Sequence, residues 1–153
     1  MSTRNVYVLF IILSILIAGF LGYRELNAQK TSIDIDKIII KELSRTDFPT
    51  GISYSFNLRN NTGHTIKQNA VYLSFPIKVP NGEQGNHFKV EAVGNKIDIQ
   101  PNEEVSLTFF CQREDYVNSL DIEHPNLFVK GYFDSVSVGT HFEKSGGVES
   151  FSK

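Results

Sequence analysis

Ile52-Ser53-Tyr54-Ser55-Phe56-Asn57-Leu58-Arg59 is the stretch that decides the fold. Ile52, Tyr54, Phe56 and Leu58 share one parity; Ser53, Ser55, Asn57 and Arg59 share the other. Successive side chains of a strand point to opposite faces, so this alternation predicts a half-buried strand. Asn60-Asn61-Thr62-Gly63 follows and predicts a turn, because Asn and Gly tolerate positive φ. Asn60-Asn61-Thr62 also fits the N-glycosylation pattern, which matters only in a eukaryotic secretory pathway.

The same period recurs on both sides. Ile33 and Ile35 alternate with Asp34 and Asp36, and Ile38 and Ile40 continue the pattern. Val71, Leu73, Phe75 and Ile77 form a third inward set, with Pro76 on the opposite face; a proline there removes a ladder donor and suggests an edge or a bulge. Residues 80–86 form a loop by composition. Phe88, Val90 and Ala92, then Ile97 and Ile99, alternate again. Pro101-Asn102-Glu103-Glu104 turns the chain into Val105, Leu107, Phe109 and Cys111. Leu127, Val129, Gly131 and Phe133 make a further strand, and Val136 and Val138 another. Residues 139–153 are rich in Gly and Ser and are expected to hold one edge strand, around Thr140–Glu143, and a loose tail. A turn of helix is expected near Glu114-Asp115-Tyr116. Seven or eight short strands separated by turn signals predict an all-β sandwich.

Ahead of this pattern lies a different one. Asn5 to Tyr23 carries no charge and is rich in Ile and Leu. Nineteen helical residues reach about 28 Å, close to the roughly 30 Å of a bilayer's hydrocarbon layer. Tyr7 and Tyr23 stand near the ends, where amphipathic rings favour the interface. A cleaved signal peptide has a shorter apolar region followed by small residues. Leu26 and Ala28 make a poor cleavage site, so a retained signal-anchor is expected. The organisation is then a tail (1–4), a transmembrane helix (5–23), a linker (24–32), a β-sandwich domain (33–143) and a C-terminal tail (144–153). Arg24, Lys30 and Lys37 against Arg4 alone lean toward a cytoplasmic domain by the positive-inside rule. The signal-anchor-like start and the Ser/Thr/Asn-rich, disulfide-free domain point the other way, and an extracytoplasmic domain is the expectation adopted.

Charge and cysteine content exclude several classes. Arg4 is the sole charged side chain before the apolar run, so the remainder holds 14 basic against 17 acidic residues. A nucleic-acid protein would carry a basic face, and a polybasic membrane-surface module is equally unsupported. Cys111 is the one cysteine, which rules out an intramolecular disulfide and a zinc site of several thiolates. It continues the inward phase of its strand and reads as a small buried hydrophobe.

Three features resemble the immunoglobulin-like extracytoplasmic domains of bacterial envelope proteins, including the group named for a Phe-x-Leu-Tyr-Asp motif. They are the strand Ile52–Leu58 with Asn60-Asn61-Thr62-Gly63, the strand Ala70–Ile77, and Ile99-Gln100-Pro101-Asn102-Glu103 before Val105-Ser106-Leu107-Thr108-Phe109. They cover about half the domain; the naming motif itself is missing. The resemblance implies an immunoglobulin-like sandwich in the envelope and no catalytic residues, since such domains generally bind or space other molecules.

No constellation demands catalysis, a metal or a cofactor. His64, His87, His124 and His141 lack metal-ligand spacing and read as loop histidines. Asp34 and Asp36, with Glu103-Glu104 or Glu114-Asp115, offer oxygens for calcium but no Asp-rich loop, and read as a charged solvent face. The best candidates are aromatic. Phe128 and Tyr132 fall opposite the inward set of their strand, as Phe110 and Tyr72 do in theirs. Rings meeting on one outer face would form a partner-binding patch. The expected function is therefore a membrane-anchored, non-catalytic interaction or structural module, whose partners are the bilayer through 5–23 and another envelope protein. A small-ligand or ion sensor and a cleaved secreted protein are the alternatives.

Overall fold

The computed structural model describes residues 33–113 and 119–152. The apolar segment 5–23 and the helical turn expected at 114–116 lie outside the described residues. No helix among the described residues is long and apolar enough to cross a membrane.

The domain is all-β. Its strands are β1 (Ile38–Phe48), β2 (Gly51–Asn60), β3 (Ile66–Ser74), β4 (Ile77–Val79), β5 (Gly82–Gln84), β6 (Val90–Glu91), β7 (Glu104–Gln112), β8 (Asn126–Phe133) and β9 (His141–Gly147). They form a three-stranded sheet, β1-β2-β7, a four-stranded sheet, β6-β3-β8-β9, and the small hairpin β4-β5. All pairings are antiparallel. The two main sheets bury their apolar faces in a sandwich-like core, as period-2 strands must when one face is wet.

The core follows the parity of the sequence. Ile52, Tyr54, Phe56 and Leu58 of β2 are buried, with Leu107, Phe109 and Cys111 of β7. Val71 and Leu73 of β3, and Leu127, Val129 and Phe133 of β8, are buried in the second sheet. Phe56 meets Phe109 edge-on at 5.6 Å, and Tyr54 meets Phe75 at 5.7 Å. Gly131 completes the β8 inward set for a steric reason. A β-carbon there would come within 2.9 Å of the Lys67 carbonyl oxygen and 3.2 Å of the Phe142 ring.

Several segments depart from the alternation. Asp34 and Asp36 do not share a strand face. Ile35–Lys37 is a 3-10 turn capped by Asp34, whose carboxylate accepts from the Asp36 N–H at 3.1 Å. Asp competes for backbone donors in this way and so favours turns over strands. β1 continues to Phe48, although its alternation fails after Ile40. A bulge between Glu42 and Ser44 inserts Leu43, which is exposed, and shifts the phase. Pro76 ends β3 rather than lying within a longer strand. Phe88 and Ile97 are exposed, not inward. Ala92 and Ile99 reach the core there, Ile99 through a bridge to Ile66. Val136 and Val138 form no strand; they are exposed in the connection between β8 and β9. The expected tail is structured as far as Ser152. β9 runs to Gly147, and a 3-10 turn at Val148–Phe151 places Phe151 fully inside.

Candidate interaction surface

The outer face of the four-stranded sheet gathers the aromatic residues of the reversed parity. Tyr72 on β3 is the direct cross-strand partner of Phe128 on β8. Facing pairs of this kind have β-carbons about 5 Å apart and stabilise the sheet by contact of their rings. Lys130, two residues along β8, pairs with Ala70 on one side and Glu143 on the other. Two ammonium groups lie over the rings. Lys89 Nζ is 3.5 Å from the Phe128 ring centre, and Lys130 Nζ is 5.1 Å from that of Tyr72. Such contacts contribute about 0.5–1 kcal/mol at exposed sites. Here they hold two long side chains across an apolar pair without sealing it. The result is a shallow depression of about 370 Å³ lined by Tyr72, His87, Lys89, Phe128, Lys130 and Glu143.

The other two aromatic candidates stand apart. Tyr132 shares the face but sits four residues further along β8, opposite Lys67 and His141. It packs edge-on against the His141 ring at 5.3 Å. Phe110 belongs to β7 and therefore to the other sheet. Its exposed ring lies beside Pro49, Thr50 and Arg113 at the β1–β2 turn. The expected single patch of four rings is thus a pair, a neighbour and an outlier. Parity assigned each ring to an outer face, but parity does not say which sheet a strand joins.

A charged cluster escaped the sequence reading. Asp121 is buried and accepts from the Glu123 N–H at 3.1 Å. Its carboxylate also meets His124 Nδ1 at 3.0 Å and Lys78 Nζ at 3.5 Å. The His124 hydrogen bond, with those of the backbone and the nearby Lys78 charge, holds the Asp121 carboxyl down at about 2. His124 is raised in return, chiefly by Asp121. Arg45 pairs with Glu123 at 2.7 Å, and the Tyr54 hydroxyl donates to the Ile122 carbonyl at 2.7 Å. Burial pushes the Tyr54 phenol up. These contacts fasten residues 120–125 to the first sheet. His64 also has an acidic partner, Asp134, at 2.6 Å, which lowers the Asp134 carboxyl. Residues 45, 54, 78 and 121–124 are brought together only by folding, so spacing gave no signal. Among the described residues no group of three or more His, Cys, Asp or Glu side chains is placed to hold a metal ion.

No family model matches the chain, and no curated protein matches it either. Solved structures that resemble it at low identity include the following two. The archaellum periplasmic stator protein FlaG from Sulfolobus acidocaldarius is 12% identical, covers 72% of this chain and 98% of its own, and has a TM-score of 0.34. The Northeast Structural Genomics Consortium target SoR45 is 16% identical, covers 72% of this chain and 82% of its own, and has a TM-score of 0.35.

Proposed function

We propose that the chain is a single-pass, membrane-anchored module of the cell envelope. In this reading its extracytoplasmic immunoglobulin-like sandwich binds another envelope protein and catalyses nothing. One observation carries the binding role: Tyr72 and Phe128 form a cross-strand pair on an outer sheet face, with Lys89 and Lys130 over the rings. Aromatic rings are among the side chains enriched in the cores of protein interfaces. The uncharged, apolar stretch 5–23 supports the anchor, since its length suits a bilayer.

The test is a crosslinking experiment on intact cells carrying the full-length protein, using a reagent that does not cross membranes. The wild-type chain is expected to yield a defined crosslinked partner, and Tyr72→Ser with Phe128→Ser is expected to lose it while the domain still unfolds cooperatively. No labelling of the wild-type chain would refute the external domain. Undiminished capture by a folded double variant would refute the sheet face.

A further inference from the structure

The β8–β9 connection presents apolar side chains to solvent and holds them there. Val138 is 97% exposed and Val136 is 53% exposed. The loop is not loose. The Asp134 N–H donates to the Thr65 carbonyl at 2.8 Å, the Thr140 N–H to Ser137 at 3.1 Å, and the Ser137 N–H to Thr140 Oγ1 at 3.3 Å. The Thr140 hydroxyl in turn donates to the Ser135 carbonyl. A short 3-10 turn at Val138–Thr140 results. These bonds fix the two valines outward, where they gain nothing for the fold. Tyr132 and His141, amphipathic rings, stand beside them in a depression of about 370 Å³.

The loop lies at the end of the domain where the chain comes in. The Lys37 carbonyl, just ahead of β1, accepts from the Asn61 N–H at 3.0 Å. Asn60 Nδ2 donates to the His64 carbonyl at 2.7 Å, and His64 Nδ1 meets Asp134 at 2.6 Å. A continuous run of bonds thus joins the start of the domain to the first residue of the loop. In the sequence, ten residues, 24–33, lie between Asp34 and the apolar stretch 5–23. Of the carboxylates nearby, Asp36 pairs with Lys144 and Asp98 with Lys67, and Asp134 is hydrogen-bonded to His64.

We propose that the β8–β9 loop is a lipid-contacting tip, in which Val136 and Val138 enter the surface of a bilayer. The inference rests on the anchored reading above. Two valines would not hold a free protein to a membrane. On a chain already tethered to one, the high local concentration of lipid makes a weak contact sufficient.

The chain contains no tryptophan, so a single one reports its own surroundings. Full-length V138W, reconstituted in phosphatidylcholine vesicles, is expected to emit at shorter wavelength than in detergent and to lose intensity when the acyl chains are brominated. F48W, at the opposite end of β1, is expected to do neither. If V138W floats with the vesicles yet behaves like F48W, the tip does not touch lipid. A blue shift without bromine quenching would mean that protein covers the loop, which also overturns the proposal. A chain that fails to float with vesicles at all refutes the anchored reading, and the tip falls with it.

Discussion

Asn60 closes one end of the domain with a single buried side chain. Its amide donates to the carbonyls of His64 (2.7 Å), Ile99 (3.1 Å) and Gln100 (3.2 Å) and accepts from Thr62. Each carbonyl has a second donor (Thr62 Oγ1, the Ile66 N–H and the Glu103 N–H), so replacing it with alanine removes the amide's own bonds and takes the Asn60 acceptor from Thr62. Asn60→Ala is therefore expected to cost about 1–3 kcal/mol, read as a lower urea midpoint. A midpoint equal to wild type would show that water replaces the amide. The same burial keeps Asn60 from serving as a glycan acceptor in the folded domain. In the sequence Asn60 reads as an ordinary turn residue, because two of its acceptors lie some forty positions away. Tyr72 and Phe128 were legible, since strand parity alone turned them outward. Their pairing was not, because it depends on β3 and β8 lying side by side.

At the scale of elements, clean alternation gave β2, β7 and β8 almost to the residue. β1 was harder: one inserted residue at Leu43 reverses its parity, and Glu42, Arg45 and Asp47 then look like loop composition. The edge strand expected around Thr140–Glu143 is the first part of β9, and the largest misreading lies beyond it, from Lys144 to Ser152. Gly and Ser suggest a tail, yet β9 pairs along its whole length with β8, and the following turn plugs Phe151 into the core. Lys144 Nζ lies 4.6 Å from the Phe151 ring centre and also pairs with Asp36. The C-terminal turn thus helps to fasten the start of the domain. Phe151→Ala is expected to cost about 3–5 kcal/mol, the usual range for emptying a large buried site. Thermal unfolding of the variant measures it. A loss within error of zero would mean that the turn is an appendage after all.

For the whole molecule, the all-β class was legible because it needs only the period of the strands. The division into β1-β2-β7 and β6-β3-β8-β9 was not, because it is fixed by pairings between distant strands. The charged cluster around Asp121 has the same origin. The bulge in β1 bears on a property of many molecules rather than one. β1 is an outer strand of its sheet and, at 11 residues, a long one. A straight outer strand of that length is a template on which identical chains can stack into insoluble ribbons. The extra residue at Leu43 bends it, and Lys41, Glu42, Arg45 and Asp47 charge it. Deleting Leu43 should let Glu42 and Ser44 follow one another opposite Phe56 and Ser55 and so straighten the rim. The shortened protein is expected to scatter more light as its concentration rises; if it stays monomeric in sedimentation at every concentration, the bulge is not what keeps the chain in solution.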